Sequence, residues 1–118
     1  MTIQMDSKYD LEERTFQFAN DCRKMISSLK FSSANVEDGK QLIKSSGSIG
    51  ANYIEANEKL GEKDFVFRLK IARKEAKESR YWLRLLKTGN PEIKEIDKLI
   101  NESEELRKIL SAIIKKFE

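Results

Sequence analysis

Apolar residues recur along the chain in four series whose steps of three and four mark the buried seams of helices. The first series, Leu11, Thr15, Phe18, Cys22, Met25 and Leu29, predicts a helix from about Lys8 to Leu29, with Asp6, Ser7 or Asp10 placed to cap its start. A polar break, Ser32-Ser33-Ala34-Asn35, separates it from a second seam at Leu42, Ser46, Ile49, Tyr53, Ala56 and Leu60. Asn35, with Asp38 three residues on, reads as the N-terminal cap of that second helix. Gly61 suits its end and the start of a third, whose seam of Phe65, Leu69, Ala72, Ala76, Ser79, Leu83 and Leu86 runs to about Thr88. Gly89-Asn90-Pro91 is the sharpest punctuation: glycine to end a helix, asparagine to cap the next, proline for its first position. The fourth seam is Ile96, Leu99, Ser103, Leu106, Leu110, Ile113 and Phe117, widened by Ile100, Ile109 and Ile114. No stretch alternates with the period of a strand.

Four heptad-patterned helices of similar length with short connections predict an all-α fold, an antiparallel up-down-up-down four-helix bundle. The 118 residues suffice for one core, so the expectation is a single domain over 1–118. Charged residues make up 36% and proline occurs once, which suits helices joined by short loops. Met1 to Asp10 has neither the basic start nor the apolar stretch of a signal peptide, and the longest apolar runs are only a few residues. A soluble, cytoplasmic protein without membrane contact is expected. Cys22 is the only cysteine, so no internal disulfide forms, and its place on a seam points to packing.

Charge changes this picture at one place. The chain carries a net charge of +3, but the third helix concentrates Lys70, Arg73, Lys77, Arg80, Arg84 and Lys87 on one stripe beside its seam. Lys and Arg are good helix formers whose methylene stems shield an apolar seam, so a solvated face explains such a stripe. A nucleic-acid surface uses the same residues to neutralise phosphates. Apolar residues also lie off the seam of this helix: Phe67, Ile71, Tyr81 and Leu85, with Trp82 nearby. One small bundle does not bury both faces of a helix, so this second face is expected to meet another subunit. Stacking of Tyr81 and Trp82 on unpaired bases is the competing use.

Catalytic chemistry finds little to work with. The chain has no histidine, the commonest general base and metal ligand, and no second cysteine. Glu55 and Glu58 lie one turn apart without a convergent ligand set. Ser45, Ser46 and Ser48 have only Lys44 nearby as an activating group. Gly47 and Gly50 follow no strand and precede no Lys-Ser or Lys-Thr pair, so they form no phosphate loop. With Ser46 and Ala51 they instead let the second helix approach a neighbour closely. No catalytic, cofactor or metal site is expected.

The stretch Gln41-Leu42-Ile43-Lys44-Ser45-Ser46-Gly47-Ser48-Ile49-Gly50-Ala51-Asn52-Tyr53-Ile54-Glu55-Ala56 resembles the signature of a bacterial four-helix-bundle family named for proteins encoded in intervening sequences of 23S ribosomal RNA genes. Asp64-Phe65, Leu69 to Ala76, Tyr81-Trp82-Leu83 and Asp10 to Ala19 extend the resemblance over nearly the whole chain. It implies a closed bundle, a ring-like homopentamer and no established enzymatic activity. It also implies an architecture similar to the accessory protein of diversity-generating retroelements, a basic pentamer that engages nucleic acid and a reverse transcriptase. Within the pattern, Ser48, Ile49, Asn52 and Glu55 take structural roles, Asn52 bonding across helices and Glu55 pairing with Arg73 or Arg80. Asn52-Tyr53-Ile54-Glu55-Ala56 departs from the more frequent Asn-Ile-Ala-Glu-Gly.

Two functions follow as expectations. The first is a non-enzymatic homo-oligomer that binds DNA or RNA through the basic stripe. The alternative is a protein-interaction scaffold whose stripe closes onto acidic residues of its own or another subunit, with Glu95, Glu102, Glu104 and Glu105 of the fourth helix as candidates.

Overall fold

The four seams become four helices. The computed structural model describes residues 7–58 and 61–118. In chain order it contains α1 (Ser7–Ser27), α2 (Ser33–Ala56), α3 (Glu62–Gly89) and α4 (Lys94–Lys116), with no strand among the described residues. Each helix packs on the next, α4 returns to α1, and the diagonal pairs keep their backbones farther apart. The result is an antiparallel four-helix bundle measuring 44 × 31 × 19 Å. Among the described residues no helix is long and apolar enough to cross a membrane. The expected cap at Asp6 and the seam position Leu60 lie outside the described residues.

The core follows the predicted seams closely. Phe18, Leu42, Ile49, Leu69, Leu83, Leu86, Ile96, Leu106 and Leu110 are buried almost completely. Each such side chain contributes about 1.5–3 kcal/mol relative to exposure. The seam of α4 drifts at its end: Ile114 is buried, whereas Ile113 is half-buried and Phe117 exposed. A straight helix turns every 3.6 residues, so a strict heptad reading slips off the buried face after several turns. Phe117 instead meets Phe65 edge-on, ring centres 5.0 Å apart.

Two predicted caps are corrected. Ser32, not Asn35, caps α2; it is extended (φ −162°, ψ 156°) and its Oγ accepts the Asn35 N–H at 3.0 Å. Asn35 lies inside the first turn and donates to Lys30 O at 2.9 Å and to Asn90 Oδ1 at 3.2 Å. Asn90 caps the end of α3 rather than the start of α4. Its Nδ2 donates to Leu86 O at 2.8 Å and to Asn35 Oδ1 at 2.9 Å, and its Oδ1, the acceptor an N-cap needs, is turned to Asn35 Nδ2 and away from the next helix. Pro91 therefore sits in a turn, and α4 begins at Lys94 after Ile93. Glu95 and Asp97 in its first turn complement the helix dipole. Gly61 precedes α3 with φ +137°, a conformation that glycine adopts freely.

Close approach of α1 and α2 centres on Gly50. A Cβ there would lie 2.8 Å from Thr15 Oγ1 and 3.3 Å from Thr15 Cβ, on a branched side chain with little freedom to move. Gly47 has only Arg23 Nη2 at 3.6 Å, and Ala51 is exposed. On the other side of α2, the buried hydroxyls of Ser45 and Ser79 bond across to α3 at 2.8 Å. The two glycines therefore respond oppositely to substitution. Gly50→Ala is expected to destabilise by about 1 kcal/mol, crowding against Thr15 exceeding the gain in helix propensity. Gly47→Ala, with room for the methyl, is expected to stabilise by about 0.5–1 kcal/mol. Urea unfolding midpoints of the two variants check both signs.

Candidate nucleic-acid interface

Lys70, Arg73, Lys77, Arg80, Arg84 and Lys87 share the flank of α3 that borders α4, Arg73 half-buried and the others exposed. Four of them reach α4 or its end. Lys70 Nζ lies 3.0 Å from the Glu118 carboxylate, Arg80 Nε 4.0 Å from that of Glu104, and Lys87 pairs with Asp97. Arg73 donates to Ser111 Oγ at 3.4 Å, a neutral partner that leaves its charge uncancelled. Lys77 and Arg84 have no ion pair or side-chain hydrogen bond among the described residues. The pairs are solvent-exposed, so each contributes about 0–1 kcal/mol and weakens with salt.

Of the four α4 acids expected to face the stripe, only Glu104 does so. It is held more closely by Arg107, whose two bonds at 2.6 and 3.1 Å keep its carboxyl below the usual range. Glu95 turns to Lys98, Glu105 to Lys108, and Glu102 makes a two-pronged pair with Arg14 of α1 at 2.6 and 2.9 Å. Asp97 and Glu118 were missed. A signal for the first existed: Asp97, Glu104 and Ser111 recur every seven residues, as do Lys87, Arg80 and Arg73 in the opposite direction. Two antiparallel helices bring such series into step once a single rung is known.

The stripe borders two open grooves. One, of about 430 Å³, is lined by Lys70, Arg73, Lys74, Lys77, Glu78, Tyr81 and Trp82. The other, of about 590 Å³, includes Arg80, Arg84, Lys87, Asp97 and Asn101. Lys74 is a cation of the first groove that the stripe pattern left out. Tyr81 and Trp82 meet edge-on, ring centres 5.1 Å apart. Trp82 is half-buried against the core, whereas Tyr81 points outward. Phe67, Tyr81 and Leu85 are 58%, 54% and 37% exposed, and Ile71 is half-buried, so the second face of α3 is left open by its own bundle.

Residues of α2 are placed differently from expectation. Asn52 donates to Ser48 O of its own helix at 2.9 Å instead of bridging helices. Glu55 is exposed and pairs with neither Arg73 nor Arg80, because those arginines border α4. Lys44 is exposed, while Ser45 is buried and bonded to Ser79, so the two form no nucleophile pair. Among the described residues no group of three or more His, Cys, Asp or Glu side chains gathers as a metal site. Cys22 is fully buried, and burial, only partly offset by a hydrogen bond with Ser46, pushes its thiol up to about 12.

The family model of 23S rRNA-intervening sequence proteins matches residues 7–112. A crystal structure of a protein of unknown function from the S23 ribosomal protein family, from Bacteroides thetaiotaomicron, superposes with a TM-score of 0.78. It is 31% identical, and the match covers 93% of this chain and 99% of that one. No curated protein matches the chain.

The state of Cys22 gives a direct check on the packing of α1 against α2. The folded protein is expected to leave a thiol reagent unreacted at pH 8, with one equivalent released on unfolding in urea. Its ordinary value is 9.0 and the folded thiol titrates near 12, so the unfolded chain ionises first. Its contribution to stability is present below pH 9 and is lost as pH rises toward 12, which urea titrations across that window would register.

Proposed function

The chain belongs to the family of 23S rRNA-intervening sequence proteins, and from that premise we propose that it is a non-enzymatic, cytoplasmic homo-oligomer that binds nucleic acid through the basic flank of α3. The family's name states no activity, so the reading rests on the site. The observation that supports it is the set of cations left without acidic partners: Arg73, Lys77 and Arg84, with Lys74 beside them. From Arg73 to Arg84 they span about 16 Å of helix, enough for contacts to successive phosphates. Several weak patches on one oligomer bind together more strongly than any alone.

A second reading has its own observation. Lys70, Arg80 and Lys87 are already paired with carboxylates, so part of the stripe serves the α3 to α4 contact, as in a scaffold without nucleic acid. Paired and unpaired cations separate the two. Lys77→Glu with Arg84→Glu is expected to weaken binding of labelled DNA or RNA about tenfold or more and to flatten the salt dependence by about two phosphate contacts. Folding stability should stay within about 0.5 kcal/mol, since neither residue has a partner to lose. Lys87→Glu sets two acids together and is expected to cost up to about 1 kcal/mol in stability with a smaller effect on binding. Fluorescence anisotropy over a salt series and urea unfolding read both. No binding even at low salt overturns the nucleic-acid reading in favour of the scaffold.

A further inference from the structure

Of the two grooves beside the stripe, one combines charge with an aromatic wall. Four cations of α3 line it together with Glu78, Tyr81 and Trp82, and its volume is about 430 Å³. Clefts that hold one small molecule measure roughly 300–1,000 Å³. The other groove has Arg80, Arg84 and Lys87 but no aromatic residue. Within the first, Lys74 and Lys77 form no ion pair among the described residues, and Arg73 meets only the neutral Ser111. Tyr81 is 54% exposed, with Trp82 edge-on against it, the ring planes at 78°. Trp82 is itself half-buried against the core, so it anchors the tyrosine ring.

Such a surface suits an occupant with two parts: anionic groups for the cations and a flat π-face for the ring. Another protein subunit laid over Tyr81 would desolvate Arg73, Lys74 and Lys77 against the single carboxylate of Glu78, a heavy penalty for unpaired charges. A nucleic-acid duplex offers phosphates but keeps its base faces stacked inside, and exposing one costs unpairing and unstacking. An unpaired strand offers both parts at once.

We propose that this groove binds single-stranded nucleic acid, with one unpaired base stacked on Tyr81 and the adjoining phosphates held by Lys77 and Lys74. The proposal rests on the nucleic-acid reading above and names the form of nucleic acid that this flank selects. Helical rise supplies the spacing: Lys77 lies one turn and Lys74 two turns before Tyr81, about 6 Å and 10.5 Å along the axis. The cations thus stand where the backbone of a strand runs past its base. Glu78, three residues before the ring in the same groove, repels phosphate from Tyr81 and leaves that place to the uncharged base. Stacking needs a π-face and no particular base edge, so the site takes DNA or RNA with little base preference.

The test compares a labelled, unstructured thymidine or uridine homopolymer with a duplex of equal length, by fluorescence anisotropy over a salt series. Tyr81→Ala is expected to weaken binding of the single strand about tenfold and that of the duplex by less than about twofold. Its salt slope stays that of the wild type, because no phosphate contact is lost, whereas Lys77→Glu with Arg84→Glu flattens it. Tyr81→Phe keeps the ring and retains single-strand binding to within about threefold. Trp82 is the only tryptophan, so its fluorescence reports the groove, responding more to the single strand than to the duplex. Circular dichroism and sedimentation velocity confirm that each variant is folded and assembled. The proposal is overturned if Tyr81→Ala leaves single-strand binding unchanged, or weakens single strand and duplex equally, the mark of a ring that serves assembly. Either result leaves the nucleic-acid reading standing, since the charge variants test it separately. Absence of binding to both probes at low salt overturns the two together.

Discussion

The distance between α1 and α2 is the constraint on which the bundle depends. Gly50 lets the two backbones meet over Thr15, and Gly39 admits Ile26 in the same way, with the position of a Cβ there only 3.3 Å from Ile26 Cγ2. Tight packing at these two places fixes where the seams of both helices point. The hydroxyls buried along the contacts are satisfied close to home: Thr15 donates to Leu11 O, Ser46 to Ile43 O and Ser103 to Ile100 O. Ser45 and Ser79 bond between helices, as does Ser46 with the Cys22 thiol, whereas Thr15 and Ser103 add no demand on register. Shape sets the register there, and small residues set the shape.

α3 then divides its circumference among three tasks. One face fills the core with Leu69, Ala72, Ala76, Leu83 and Leu86. One flank holds a ladder of polar contacts to α4, and the remaining face is open and partly apolar. The ladder explains why the basic stripe carries less free charge than its composition suggests. Half of its cations lie within 4.0 Å of a carboxylate, and the uncancelled charge is concentrated around Arg73, Lys77 and Arg84.

Seams were legible in the sequence because burial imposes a period, and a period survives without knowledge of neighbours. Five of the six expected α1 positions and every described α2 position are buried. Register between helices was not legible. The acids opposite the stripe were sought by their helix, but which of them meets a given cation depends on how far α3 and α4 slide past each other. Hence Glu104 was found, Asp97 and Glu118 were not, and Glu102 belongs to Arg14. The boundary of α4 failed for a related reason. Asn90 has the chemistry of a cap, but tertiary contact with Asn35, 55 residues away in the chain, decides which helix it caps.

That pair of asparagines also makes the two ends of the bundle unlike. At one end the α1–α2 and α3–α4 connections are clasped by directional amide bonds, which tolerate little displacement. At the other, α3 and α4 meet through the edge-on rings of Phe65 and Phe117, a contact that survives small sliding. The asparagine end is thus held by direction as well as by contact, and the aromatic end by contact alone.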